Sequence, residues 1–207
     1  MRLQDIERLF TQTDGTYRFA RWGRPIVPVV FGVDDATLGV IKGAIEALVF
    51  MAEHKMSDTD PELGANLLMF FFRDWDELAQ TPDLDRLVPD FDPLLERLKA
   101  SDANQYRLFR FDEAGAIKAV FVFIRLGRAL ANVPAEDLAL AEAAQVMLLW
   151  SDQAFAGTGP LGKAGDQVVL RPDIAAVIKA GYDPVMPQMS EDKSHALRLL
   201  ARLTMPG

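Results

Sequence analysis

The residues best suited to chemistry are Glu142 and Gln145, in a helix predicted over residues 134–150. Nearly every other position from Leu138 to Trp150 is apolar, which is typical of a helix at the centre of a fold. A spacing of three places the two polar side chains about 60° apart, on one helix face. An ionised carboxylate without a partner there would cost several kcal/mol, so Glu142 must be paired, protonated or open to a cleft.

Two interpretations of Glu142 follow from this. In the first, Glu142 is structural and bonds to a backbone amide or to an arginine, such as Arg125 or Arg128. In the second, it faces a cleft and serves a function. The composition of the helix alone favours the structural interpretation.

The helix resembles the zinc-binding helix of matrixin-type zincin metallopeptidases. In their H-E-x-x-H motif the two histidines hold zinc and the Glu is the general base. Glu142 stands at the position of that Glu, whereas Ala141 and Gln145 stand where the histidines would be. The likeness continues in the same order along the chain, with 21–26 similar to the first strand, 44–48 to the first long helix and 170–182 to the segment after the site.

A closer resemblance is to a proteobacterial family often described as lipoproteins. Its members have Glu-Glu-x-x-Gln in place of the zinc motif and, later, a Tyr-Asp-Pro…Gly-Met-Ser/Thr stretch. Matching positions are Glu142, Gln145, 182–184 and 189–190, whereas Ala141 and Gln188 depart from the pattern. The resemblance covers roughly residues 20 to 203. It implies a zincin-like fold and an old substrate groove beside the helix.

This resemblance narrowly favours the cleft interpretation of Glu142. The side chains expected to line the cleft are Glu142, Gln145, Asp152 and Tyr182. The candidate catalytic residue is Glu142.

The zinc chemistry itself is not expected here. Glutamine is a poor zinc ligand and alanine is none, and the chain has no cysteine. The two histidines, His54 and His195, lie outside the helix beside charged residues and are interpreted as surface or capping residues. There is also no P-loop and no G-x-S-x-G elbow. The sequence therefore predicts no metal and no cofactor.

Four strands are expected to position the central helix, near residues 26–31, 67–72, 106–111 and 116–125. The last two flank Asp112-Glu113-Ala114-Gly115 and predict a β-hairpin. Pro28 lacks a backbone donor, which indicates an edge strand. We expect an α+β fold with one mixed sheet, and with helices 35–53 and 134–150 packed on the same face.

Local signals predict the remaining elements. Asp34 or Asp35 should cap the helix over 35–53, and Asp92 should cap a helix over 93–100 that has Pro93 at its first position. A glycine-rich loop is expected over 157–165. A helix from Pro172 should stop at Gly181, and Ser190 should cap the last helix.

Length and charge restrict the class of protein. A chain of 207 residues fits one domain, in which residues 1–20 are expected to form a helical extension or a linker. The net charge of −8 argues against nucleic acid and anionic membrane surfaces as partners. There is no apolar span of 18 residues and no apolar signal-peptide core. The resemblance implies a periplasmic or envelope-associated location if a signal has been removed, and otherwise the expected location is the cytoplasm.

Two functions from different classes are compatible with these residues. The first is a non-catalytic zincin-like domain at the cell envelope that binds a peptide or protein. The alternative is a hydrolase that uses carboxylates, Glu142 with Asp152 or Asp183, with or without a hard metal ion. The missing imidazole ligands favour the first, so the sequence leans against an enzyme. A purely structural or assembly protein is a third interpretation.

The substitution of both zinc ligands makes a direct prediction. Freshly purified protein should hold no stoichiometric zinc, because residues 141 and 145 are Ala and Gln. Elemental analysis checks this. About one tightly held zinc per chain, removable by a chelator, would contradict it.

Overall fold

A computed structural model of the protein describes residues 1–82, 84–127, 129–130 and 132–204. The fold is α+β, as expected. Its elements are α1 (Leu3–Phe10), β1 (Phe19–Ala20), β2 (Pro28–Phe31), α2 (Asp35–Met51), β3 (Leu67–Phe72), α3 (Trp75–Gln80), α4 (Leu84–Leu87), α5 (Phe91–Ala100), β4 (Gln105–Phe111), β5 (Ile117–Arg125), α6 (Ala135–Met147), β6 (Leu161–Ala164), β7 (Gln167–Leu170), α7 (Pro172–Tyr182), β8 (Met189–Ser190) and α8 (His195–Thr204).

The central sheet has four strands in the order β2-β3-β5-β4. Strands β2, β3 and β5 are parallel, and β4 joins β5 as the antiparallel arm of the predicted hairpin. The turn of this hairpin places Gly115 at a positive φ of 81°, a conformation that glycine adopts without strain. The prediction of one mixed sheet is confirmed, and Pro28 begins an edge strand.

The two faces of the sheet are covered by different helices. Met69 and Val122 on the first face belong to the same hydrophobic core as Ile45 of α2 and Met147 of α6. On the second face, aromatic side chains of β3 and β5 pack against α3, α4 and α5. Helices α2 and α6 also contact each other, so their predicted packing on one face is confirmed.

Helix α1 and β1 contribute side chains to the core, whereas residues 1–20 were expected to form a helical extension or a linker. Ile6 and Phe10 of α1 are fully buried. The Phe10 ring stacks on Trp150 with centroids 5.4 Å apart and meets Phe19 edge-on at 5.2 Å. Helix α1 also packs on α8, and both helices contribute side chains to the same core.

The caps follow the prediction at α2 and depart from it at α5. Asp34 caps α2 by accepting a hydrogen bond from the Thr37 amide at 2.8 Å. Helix α5 begins at Phe91 with Asp90 in the N-cap position, so Asp92 lies in the first turn and Pro93 one residue later.

Gly181 and Ser190 have other roles than the predicted ones. Gly181 lies inside α7, where an added Cβ would be 3.2 Å from the Phe19 ring. Its missing side chain therefore permits close packing rather than ending the helix. Ser190 pairs with Phe19 in the two-stranded sheet of β1 and β8, and α8 begins only at His195.

The glycine-rich segment is also more ordered than a loop. It contains β6, which forms an antiparallel hairpin with β7 through a turn at Gly165. Gly165 has a φ of 63°, which suits such a turn. Within the described part of the chain, no helix combines the length and apolar character needed to cross a membrane.

His195 lies in the core, which corrects its interpretation as a surface or capping residue. Its side chain is 2% exposed, and its Nδ1 lies 2.8 Å from the Tyr17 hydroxyl. Its ring centroid is 4.2 Å from that of Phe19. Burial lowers the pKa of His195 to about 4, and the nearby Arg198 charge acts in the same direction.

This depressed pKa predicts a pH-dependent stability. An unfolded histidine titrates near 6.5, so between about pH 6.5 and pH 4 the unfolded chain binds the extra proton. The free energy of unfolding should therefore fall as the pH drops through this window, by up to about 3 kcal/mol. Urea titrations at about pH 7 and about pH 4.5 measure it.

The matched control is His195→Gln, which cannot titrate. This variant should lose that part of the pH dependence while keeping the dependence that comes from carboxylates. An unchanged pH profile in His195→Gln would show that His195 is not the group responsible.

Candidate functional site

Helix α6 crosses the first face of the sheet with most of its side chains buried. Its first turn contains Glu136 and Asp137, whose charges are favourable at a helix N-terminus. Ala139, Ala143 and Ala144 are small and buried, so α6 packs closely against its neighbours. Glu142 lies in the middle of this buried helix and is 0% exposed.

Glu142 is held by an arginine from the sheet. Its Oε2 accepts a hydrogen bond of 2.6 Å from Nη2 of Arg107, which belongs to β4. The same Nη2 also donates to Gln105 Oε1 at 3.2 Å. Within the described residues, Glu142 Oε1 and Arg107 Nε have no hydrogen-bond partner. The ion pair is therefore buried and only partly satisfied.

This geometry corresponds to the structural interpretation of Glu142, with a different arginine. Arg125 instead bonds to Asp102 and Asn104, and Arg128 lies outside the described residues. Because the Glu142 side chain is fully buried, it does not face the open, water-filled cleft that the resemblance favoured.

Gln145 and Asp152 are also bound within the chain. The Gln145 amide donates to the Ala141 carbonyl of its own helix at 3.2 Å. Asp152 is exposed, and it accepts hydrogen bonds from the backbone amide and the hydroxyl of Thr13. Asp152 thus ties the segment after α6 to the segment after α1.

Tyr182 is a buried hydrogen-bond donor. Its hydroxyl donates to the Met147 carbonyl at the end of α6, at 2.7 Å. Its ring lies 5.0 Å from the His54 ring, and the Arg21 guanidinium is 5.4 Å from its centroid. Burial raises the pKa of Tyr182, which keeps its hydroxyl protonated as a donor.

The carboxylates of the hydrolase alternative are each engaged by a different part of the chain. Glu142 pairs with Arg107, Asp152 binds Thr13, and Asp183 pairs with Arg202 at 3.2 Å. Within the described ranges, no group of three or more His, Asp or Glu side chains is placed to hold a metal ion. The predicted site residues therefore do not converge on one point with a free acid or base.

Among the surface depressions of the described residues, two bear on the function. One, of about 570 Å³, lies between the end of α2, α7 and α8, and Tyr182 and Asp183 contribute to its lining. The other, of about 520 Å³, lies beside the β4–β5 hairpin on the second face of the sheet. We call the second depression the trough. Its apolar floor includes Leu68 and Phe121, Leu63 and Leu87 lie at its margins, and its basic rim consists of Arg86, Arg110 and Lys118.

Strand β4 is the feature that sequence reasoning missed. The hairpin was predicted, but nothing local shows which of its two strands lies at the edge of the sheet. In the structure β5 pairs with both β3 and β4, so β4 is the edge strand. One signal is present in the sequence, because residues 119–124 of β5 are apolar without interruption whereas Arg107 and Arg110 interrupt the apolar residues of β4.

Comparisons with known proteins give no relative from which a function could be taken. No family model matches the chain, and no significant match exists among curated proteins or solved structures. The function is therefore argued from the geometry.

The buried ion pair makes a sharp prediction. Glu142→Ala should lower the free energy of unfolding by about 3–5 kcal/mol, because it leaves the largely buried Arg107 without its counter-charge. The double variant Glu142→Met with Arg107→Met should recover much of that loss, since apolar side chains of similar volume need no partner. Urea titration measures both.

Gln145→Ala serves as the control on the same helix. It removes a half-buried side chain that bonds only within α6, so its effect should be under about 1 kcal/mol. A loss below about 0.5 kcal/mol for Glu142→Ala would mean that the carboxylate is already solvated, against the ion pair described here.

Proposed function

We propose that this chain is a non-catalytic module that binds an extended segment of a peptide or partner protein along the free edge of β4. The observation that carries the proposal is the edge itself. β4 runs for seven residues, pairs with β5 on one side and has no strand on its other side among the described residues. A free edge of this kind is a template for strand addition.

The direction of the backbone groups along β4 follows from one hydrogen bond. The Arg125 amide donates to the Asn104 carbonyl at 2.8 Å, next to the first pair of the antiparallel ladder. Because such ladders alternate, Tyr106, Leu108 and Arg110 direct their backbone groups toward β5. The amides and carbonyls of Gln105, Arg107 and Phe109 then point away from the sheet. No backbone partner for these three residues is found in the described part of the chain.

The opposite edge of the sheet is a weaker template. β2 has only four residues, and its first is Pro28, which has no amide to donate. On β4 the register shifts only between Arg110 and Phe111, at the hairpin end. The stretch from Gln105 to Phe109 is therefore regular and partly exposed along its length.

The absence of catalysis in this proposal rests on the bound state of the carboxylates. Glu142, Asp152 and Asp183 are each held by a different partner within the chain, so the proposal assigns none of them a catalytic role. The proposal includes the zincin-like ancestry suggested by the sequence resemblance, with peptide binding retained and zinc chemistry lost. By the same resemblance we place the protein at the cell envelope.

The experiment uses a displayed library of random peptides of about ten residues, long enough to pair with the whole strand. Peptides selected on the folded protein are synthesised, labelled and titrated by fluorescence anisotropy. The test variant is Gln105→Pro, which removes one outward amide at the first position of β4, where proline is tolerated. Gln105→Ala removes the same side chain and keeps the amide.

Gln105→Pro should bind the selected peptides about 2- to 10-fold more weakly than Gln105→Ala, the value of one backbone hydrogen bond. Equal melting temperatures of the two variants show that the fold is intact. If the library yields no binders, or if both variants bind equally well, strand addition at β4 is wrong.

A further inference from the structure

We infer that the segment bound at β4 is acidic as well as apolar, and that the trough is the site that selects it. This inference rests on the proposed function and specifies the chemistry of the partner. It is carried by the composition of the trough and by its position beside β4.

The floor of the trough is a part of the second face of the sheet in which Leu68 is half-buried and Phe121 is buried. Leu68 of β3 and Phe121 of β5 lie on the second face, which α3, α4 and α5 cover elsewhere. At the margins, Leu63 is 42% and Leu87 is 43% exposed. Contiguous apolar surface of this kind is typical of an interaction site. Aliphatic or aromatic side chains of a partner would remove it from water.

The rim of the trough is basic. Arg110 Nη2 donates a hydrogen bond of 2.9 Å to the Leu87 carbonyl. Because a carbonyl is neutral, this bond does not compensate the charge of the guanidinium. Lys118 pairs with Glu62, and Arg24 pairs with both Glu62 and Asp60, so this network of two cations and two carboxylates is balanced in charge. No acidic side chain lines the trough within the described residues.

Arg110 therefore gives the trough a positive charge whose hydrogen-bond partner is neutral, whereas the net charge of the whole chain is −8. A local basic rim on an acidic protein attracts carboxylates of a partner and repels its cations. Arginine also binds a carboxylate through two parallel hydrogen bonds, which adds geometric selectivity. The partner segment that fits is therefore one with Asp or Glu next to apolar residues.

The trough is continuous with the proposed binding edge. Arg110 and Phe111 are residues of β4 and also line the trough. Side chains of an added strand alternate between the two faces of the sheet. Those on the second face would extend past Arg110 toward the apolar floor, so one extended segment can use the edge and the trough together.

The test uses three capped and labelled peptides with the repeat Thr-Val-Thr-Xaa, in which Xaa is Glu, Thr or Lys, so that Val and Xaa lie on the same face of an added strand. They are titrated by fluorescence anisotropy. The Glu peptide should bind about tenfold more tightly than the Thr peptide, with the Lys peptide weakest. Higher salt should reduce this preference, because the charges of the rim are partly exposed.

Two variants of the rim, Arg110→Met and Lys118→Met, should each reduce the preference for the Glu peptide to less than about threefold. The matched control is Lys42→Met, which removes one exposed positive charge from α2, away from the trough. It should leave the preference unchanged. Ala65→Trp, which fills the trough without changing its charge, should weaken the Glu peptide as well.

The outcomes separate this inference from the proposed function. If all three peptides bind equally and Gln105→Pro weakens them, the selection of acidic segments is wrong while strand addition stands. If the Glu preference survives Arg110→Met, Lys118→Met and Ala65→Trp, the trough is not its source. If the displayed peptide library also yields no binders, the proposed function is wrong as well. As a further control, the protein is titrated with decanoate, a free amphiphilic carboxylate. If decanoate binds in the trough and no peptide binds, the trough is a site for such small molecules, and the inference is wrong.

Discussion

The fold depends on satisfying the buried C-terminal end of α6. The last four carbonyls of a helix have no partner inside it, and each one left unsatisfied away from water costs about 1–3 kcal/mol. Here three of the four accept hydrogen bonds from aromatic side chains. The Ala144 carbonyl accepts from Trp150 Nε1 at 3.0 Å, that of Val146 from Trp22 Nε1 at 2.8 Å, and that of Met147 from the Tyr182 hydroxyl at 2.7 Å.

Two of these donors, Trp22 and Tyr182, come from parts of the chain distant from α6, so the end of α6 holds those parts together. Trp22 follows β1, Trp150 follows α6 and Tyr182 ends α7. The backbone adds to this, since the Leu149 amide donates to the Ala20 carbonyl at 2.9 Å. Aromatic donors suit the position because each fills apolar volume and presents one polar atom.

Local sequence patterns predicted the strands of the central sheet, but they did not predict the long-range contacts of individual side chains. The apolar run predicts the strand Leu67–Phe72, and the turn residues before Gly115 predict the hairpin. Together these strands predict a mixed sheet. The partner of Glu142 is Arg107, 35 residues away, and no spacing rule selects it over Arg125. Gly181 was misassigned because its contact is with Phe19, at the other end of the chain. The residues of the trough are likewise far apart in the sequence, because its basic rim combines residues of α4, β4 and β5.

The buried ion pair connects the interior to the proposed binding edge. Arg107 could have extended its long side chain over the outer backbone of β4, which is one way in which edge strands are shielded. Instead Glu142 draws the guanidinium inward at 2.6 Å, and the side chain is only 16% exposed. The backbone of β4 is thereby left open while its inner side is anchored to α6. An edge that is both open and held in place loses little conformational freedom when a segment pairs with it, and such preorganisation favours binding.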